Sequence, residues 1–393
     1  MPRLLSLCVP ALAGCLAAQS GADAPSSVNW NDLTKSGLPI RFYGFFRLDA
    51  YYDTARFNSV ILPATVVAEN AGNRNDGEFF LDPRLTRFGL EVVPQEVNGA
   101  RIGGRLETDF ANFPTGGSES RATPRIRLAY IDIDKGDYGF RIGQDWDTIS
   151  PLYPAVNGEL LQWNAGNLGD RRTQIQARCT PKDASYDFKV ALGMSGVVNG
   201  QDLDSNSRLD GVAAGMPHLQ VRGGCTQELF VDKKPAKFGA WGALGRTEVD
   251  TAINGETRFD TWLAGIDVEL PLCESVTLRG EAWTGTCLGD FRGGIGQTVN
   301  GAGREIESTG GWGEFVWKEG KCQYHLGAST DDPEGEDLAP GNPNRNLVGY
   351  LGTVRDWDCG LRTGLDVLYW QTDYAGGALG NAVRFDLYFV YSF

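Results

Sequence analysis

The feature that most constrains this chain is an alternation of apolar and polar residues with period two, renewed sixteen times. The segments are 41–52, 80–93, 100–110, 124–134, 138–146, 171–180, 186–194, 216–227, 237–249, 258–270, 276–286, 307–317, 322–330, 346–355, 361–372 and 382–393. Extended backbone turns successive side chains to opposite faces, so this period specifies strands, and no helical period competes with it. Short connections (94–99, 135–137, 181–185, 318–321 and 356–360) alternate with long polar ones near 53–79, 147–170, 195–215, 287–306 and 331–345. An even strand number with tight turns at one end and long loops at the other is what a barrel crossing a bilayer requires. Tilted strands of ~9–11 residues span the hydrocarbon, and closure leaves no backbone edge unpaired in lipid. The pattern therefore predicts an all-β fold, a 16-stranded antiparallel transmembrane β-barrel. A mean hydropathy of −0.27 agrees with it, because only every second strand residue meets lipid.

The alternation assigns faces. In the first strand Phe42, Phe46, Leu48 and Tyr52 oppose Arg41, Tyr43, Arg47 and Asp49; in the third, Ile102, Leu106 and Phe110 oppose Arg101, Arg105, Glu107 and Asp109. In the fourth, Ile126, Leu128 and Tyr130 oppose Arg125 and Arg127, and in the last, Val383, Phe385, Leu387, Phe389 and Tyr391 oppose Arg384, Asp386 and Ser392. A charge facing lipid at the midplane costs ~2–4 kcal/mol, so the apolar face is assigned to hydrocarbon and the charged face to water. Tyr51, Tyr52, Trp146, Trp317, Tyr369 and Trp370 stand near strand ends, where interfacial aromatic girdles sit. A ring of sixteen strands is too wide for side chains to fill, which predicts a watery lumen. Arg47, Arg87, Arg101, Arg105, Arg125, Arg127 and Arg141 would form a positive wall along it, able to coordinate passing anions weakly. The competing reading pairs these arginines with Asp49, Glu91, Glu107, Asp109 and Asp145 to stiffen the wall. Residues 147–170 carry Pro and Trp but no strand pattern; they are expected to fold inward and narrow the pore, with Asp147 and Glu159 as charged members. A net charge of −14, from 36 Lys+Arg against 50 Asp+Glu, argues against a nucleic-acid partner.

Residues 4–19 form an uncharged stretch after Arg3, too short to span a bilayer, and read as a signal peptide. The expected division is a signal at 1–18 (boundary within 14–24), a segment 19–39, and the barrel at 40–393. Leu12-Ala13-Gly14-Cys15 resembles a lipobox, which makes Cys15 a lipidation candidate. The final strand ends on Phe393 and resembles the closing strand of bacterial outer-membrane proteins. That resemblance implies short periplasmic turns, long extracellular loops, and capture of the terminal aromatic by the barrel assembly machinery of a Gram-negative outer membrane.

Six cysteines lie beyond the signal: Cys179, Cys225, Cys273, Cys287, Cys322 and Cys359. The strand ladder puts Cys322 and Cys359 near one another at the short-turn end, so they are the candidate disulfide in an oxidising compartment. Asp202, Asp204, Asn206 and Asp210 have the one-three-five-nine oxygen spacing of a Ca²⁺ loop, although Ser207 replaces the turn Gly and no Glu closes it. No other cofactor is expected. The two histidines, His218 and His325, fall on different strands without a nucleophile motif, so no enzyme activity is expected.

Further residues carry a resemblance to a family. These are Phe42-Tyr43-Gly44 with Asp49, Gly104-Arg105-Leu106-Glu107 with Asp109-Phe110, Ile126-Arg127-Leu128-Ala129-Tyr130, Gly143-Gln144-Asp145-Trp146, and Arg172-Thr173-Gln174-Ile175-Gln176. Together they resemble the trimeric porins of Gram-negative outer membranes, most nearly the DcaP-like group. The resemblance covers residues 41–180 and Phe393. It implies a homotrimer in outer-membrane lipid that passes small hydrophilic solutes, anionic or neutral, by passive diffusion. The chain departs from that group in its cysteines and in having no amino-terminal coiled-coil pattern, so substrate preference is not carried over. The alternative from a different class is a lipidated or surface-anchored β-structure that binds a ligand without conducting.

Overall fold

The computed structural model describes residues 39–70, 72–73, 76–112, 122–156, 161–182 and 184–393. The expected signal segment 1–18, Cys15 and Glu159 lie outside them. The strands are β1 (Ile40–Asp53), β2 (Glu78–Asp82), β3 (Arg87–Val97), β4 (Ala100–Asp109), β5 (Arg125–Lys135), β6 (Tyr138–Trp146), β7 (Arg171–Cys179), β8 (Tyr186–Gly193) and β9 (His218–Gln227). They continue as β10 (Ala236–Ile253), β11 (Glu256–Pro271), β12 (Val276–Thr286), β13 (Glu307–Glu319), β14 (Cys322–Pro333), β15 (Pro343–Asp356), β16 (Leu361–Tyr374) and β17 (Leu379–Ser392). Neighbouring strands pair antiparallel, and β17 returns to β1, with Phe45 opposite Ser392 and Asp53 opposite Arg384. The sheet therefore closes. β2 and β3 both pair with β1 and are halves of one stave, so seventeen strands make the expected sixteen staves. Pro83 and the turn after it split that stave. Thr86 mends the ladder: its hydroxyl accepts the Arg47 N–H at 3.0 Å.

Turn chemistry sets the hairpins. Asn98-Gly99 and Asn254-Gly255 both have positive φ, the backbone of the two-residue turns that match the right-handed strand twist. The faces are inverted relative to a water-soluble protein. Phe79, Ile266 and Leu326 are 60 % or more exposed, whereas Asp49, Asp53, Asp82 and Asp109 are fully buried inside the ring. Burying these carboxylates while leaving large apolar side chains outward is stable only if the outer belt meets hydrocarbon.

Five residue assignments need correction. In β5, Glu107 stands opposite Leu128 but Thr108 stands opposite Ile126, so Arg127 is an extra residue in a β-bulge. Such an insertion flips everything after it to the other face. Leu128 is accordingly buried in the lumen, and Tyr130 faces inward under the Arg141 guanidinium at 4.1 Å. Of the six girdle aromatics, Tyr52, Trp317 and Tyr369 are exposed outward, but Tyr51 and Trp370 are buried. Trp146 also turns inward, packing on Tyr153 and Trp163 at 5.0 and 6.1 Å. Their rings cover loop segments that enter the barrel.

Cys322 and Cys359 are both free thiols, as are Cys179, Cys225, Cys273 and Cys287. The expected bridge is absent: Arg355 is the residue opposite Cys322, and Cys359 is exposed in the turn beyond it.

Candidate functional site: an arginine-lined passage beside an inward loop

Residues 147–156 leave the end of β6 and run along the inner wall formed by β12–β15, where residues 161–170 also lie. Extended wall strands offer carboxylates there, and the loop's unpaired N–H groups take them. Leu152 N–H donates to Glu281 at 2.8 Å, and Ser150 Oγ–H donates to the same carboxylate. Ala155 N–H donates to Glu314, midway down β13, at 2.9 Å. Trp283 Nε1–H donates to the Gly166 carbonyl at 2.7 Å, and Asn346 Nδ2–H to the Asn164 carbonyl at 2.6 Å. Apolar packing completes the seal. Val156, Trp163 and Ala165 join Val348, Tyr350, Leu368 and Trp370, while Ile149 and Leu168 join Trp241, Leu263 and Trp283. Gly166 has φ 123° and approaches Gly311 so closely that no Cβ fits.

Two more loops follow it in, which the sequence reading left outside as polar connections. Residues 54–77 insert Phe57 against Trp370, 5.6 Å between ring centres, and Val66 N–H donates to Thr372 Oγ1 at 2.9 Å. Residues 287–306 bury Leu288 and Phe291 completely. The signal for the second was present: Leu288, Phe291 and Ile295 are large apolar residues in an otherwise Gly-rich loop.

Arg172 ties the loop after β6 to the loop after β12. Its guanidinium donates to both Asp147 oxygens at 2.6 and 3.1 Å, to Asp290 Oδ2 at 2.7 Å, and to the carbonyls of Asp290 and Met194 at 2.7 and 3.1 Å. It stacks over Phe291 at 4.5 Å and is fully buried. Burial pushes the Asp290 carboxyl up, but the Arg172 charge outweighs it and holds the group below the ordinary carboxylate range. Asp170 is set the same way by burial against Arg171 and Arg292. His218 Nδ1 lies 3.2 Å from Arg172, and His325 Nε2 lies 2.9 Å from Asp366. Both histidines are thus members of buried polar networks.

With the loops gathered on the β10–β17 side, the opposite inner wall stays wet. Arg47 pairs with Asp49, and Arg87 approaches Glu107 at 3.5 Å. Arg125 pairs with Asp109 at 2.7 Å, and Arg141 bridges Asp132 and Asp145 at 3.0 and 2.6 Å. Arg127 reaches Glu107 at 3.0 Å and Asp109 at 2.8 Å with a side chain only 6 % exposed. Arg105 differs: its contact with Glu91 is long, 3.9 Å, its side chain is 36 % exposed, and it lies over the Tyr43 ring at 5.3 Å. Arg101 is exposed at the short-turn end. Apart from Arg101, the predicted arginines thus fall into two kinds. Arg47 and Arg127 are buried in ion pairs, whereas Arg87, Arg105, Arg125 and Arg141 face the lumen with solvent-reachable guanidinium groups. Sequence did not identify Arg178 and Arg222 as further inward arginines; each bridges carboxylates of neighbouring staves, Arg178 to Asp132 at 2.8 Å and Arg222 to Asp267 at 2.8 Å.

The fold is that of the outer-membrane porins. The outer-membrane channel DcaP of Acinetobacter baumannii superposes with a TM-score of 0.74 at 15 % identity, covering 90 % of this chain and 97 % of that one. An anion-selective porin from Comamonas acidovorans gives 0.60 at 12 % identity, with 90 % and 99 % covered. The trimer form of OmpT, an outer-membrane protein of Vibrio cholerae, gives 0.55 at 12 % identity, with 90 % and 99 % covered. No family model matches the sequence, and no curated protein sequence matches it.

Proposed function

We propose that this chain is an outer-membrane porin of a Gram-negative bacterium, a passive diffusion channel for small hydrophilic solutes with a preference for anions and carboxylates, and not an enzyme. The observation that carries the reading is the division of the lumen: loops cover one wall, and Arg87, Arg105, Arg125 and Arg141 remain solvent-reachable on the other. Guanidinium groups along a narrow aqueous path attract carboxylate or phosphate oxygens, and surrounding water keeps each contact weak enough for release. Acidic neighbours temper the field, so the preference is graded rather than absolute. Two similar structures bear names in keeping with this, an anion-selective porin and an outer-membrane protein in trimer form, and a homotrimer is proposed here too. Phe393 is proposed as the assembly signal; its ring packs outside the barrel on Phe42 and Phe46 at 5.8 and 5.3 Å. The test is the reversal potential across a planar bilayer in a KCl gradient. An anion-directed potential that shrinks in Arg105→Gln is expected. Cation preference in the unmodified channel would reject the anion reading, and absence of conductance would reject the channel in favour of a ligand-binding surface protein.

A further inference from the structure

The loop between β8 and β9 gathers a group that the channel does not use. Asp202, Asp204 and Asp210 bring one carboxylate oxygen each within 4.8 Å of one another. The loop is folded tightly around them. Asn206 and Ser207 N–H groups donate to Asp202 at 2.9 and 2.8 Å. The Asp250 and Thr251 N–H groups of β10 donate to Asp204 Oδ2 at 2.8 and 2.7 Å, and Leu203 N–H donates to Asp210 Oδ2 at 2.8 Å. One oxygen of each of two carboxylates is left over. Asp204 Oδ1 and Asp210 Oδ1 are shielded from solvent and accept no hydrogen bond, and Asp210 as a whole is 1 % exposed.

A buried carboxylate oxygen without a donor is costly, and three carboxylates in contact repel one another. The nearby cation does not relieve this, since Arg208 pairs with Asp250 instead. A divalent metal ion would. We propose that Asp202, Asp204 and Asp210 form a Ca²⁺ site that ties the β8–β9 loop to the end of β10. The donors are all hard carboxylate oxygens, which suits Ca²⁺, with its six to eight ligands and tolerant geometry, better than a soft transition metal, and better than Mg²⁺, which demands near-ideal octahedral geometry. Asn206 is not a ligand, contrary to the spacing: its amide donates to Asp204 and Asp250, and its carbonyl accepts the Arg208 N–H at 2.7 Å.

The test is equilibrium dialysis of the detergent-solubilised full chain against CaCl₂ after chelator treatment, alongside Asp204→Asn and Asp210→Asn, with protease cleavage of the loop as second readout. One ion per chain is expected, at the ~10⁻⁴–10⁻³ M affinity of extracellular Ca²⁺ modules, weakened at least tenfold in both variants, together with Ca²⁺-dependent loop protection that both variants lose. Absence of saturable binding to the unmodified chain, or binding undiminished in the variants, would overturn the proposal. Should a variant fail to fold, the titration and loop protection of the unmodified chain decide.

Discussion

Replacing Arg172 by Met removes the group that holds the two inward loops to the β7 wall. The side chain is fully buried and makes six hydrogen bonds, four of them to Asp147 and Asp290. Removing one member of a buried ion pair costs ~3–5 kcal/mol, chiefly because the remaining charge is stranded. The survivors keep some partners here. Asp290 still accepts the Gly196 and Val198 N–H groups at 2.8 and 2.9 Å, and Asp147 still accepts Gln220 Nε2–H at 2.7 Å. The lower end, ~3 kcal/mol, is therefore expected, on the order of a hundredfold in the closed-to-open ratio of the loops. Single-channel recordings should show increased open-channel noise and transient large openings, and protease should cut the 287–306 loop faster. Neutralising the stranded partners as well, in Arg172→Met with Asp147→Asn and Asp290→Asn, should recover part of the loss. A quiet, unchanged conductance with unchanged protease resistance in the single variant would refute the clamp.

Other consequences follow from the same geometry. Arg105→Gln should reduce anion preference while leaving the thermal unfolding midpoint unchanged, whereas Arg127→Gln should destabilise by ~3 kcal/mol, the lower end for a broken buried pair, because Asp109 keeps Arg125 and Glu107 keeps Arg87 and Tyr43; thermal unfolding and reversal potential measured together separate the two. The Asp290 carboxyl is held below its ordinary range, so its contribution is complete above the unfolded pKa of ~3.9 and lost as pH falls through the folded value. Channel noise should accordingly rise below pH ~4 in unmodified protein and fall in Arg172→Met, where protonation neutralises the stranded carboxylates. Cys287 is buried, and burial pushes its thiol up to about 12, while Cys273 is exposed and hydrogen bonds from Ser275 and Val276 lower its thiol. Maleimide at neutral pH should label Cys273 quickly and leave Cys287 unmodified until the barrel is denatured, as mass spectrometry of tryptic peptides would show.

The staves were legible in the sequence because the period-two signal is set by lipid on one side and water on the other, and that contrast acts on every strand. β6 and β12 begin and end where the alternation does, at Tyr138–Trp146 and Val276–Thr286. What escaped was whatever breaks or hides the period. The bulge at Arg127 leaves the composition of β5 unchanged while reversing Leu128 and Tyr130. Tyr51 and Trp370 look like girdle residues from their places near strand ends, yet each is adjacent to an outward aromatic, Tyr52 or Tyr369, so the alternation itself turns them inward. The 147–170 loop was legible as an inward element from its Pro and Trp, but Arg172, two residues beyond it, reads as an ordinary strand charge until Asp290 is brought to it from 118 positions away. Of the four residues in the calcium spacing, Asp202, Asp204 and Asp210 come together in space, while the Asn206 amide is spent on Asp204 and Asp250.

The central claim, that adjacent residues of one stave face water and lipid in turn around a conducting lumen, is tested most directly on Arg105 and Leu106. Arg105→Cys and Leu106→Cys channels, each inserted in a planar bilayer, would be treated with a charged, membrane-impermeant thiol reagent. Arg105→Cys should lose current on modification, and Leu106→Cys should conduct as before, like the unmodified protein. Equal block at both positions, or block at Leu106→Cys alone, would contradict the account.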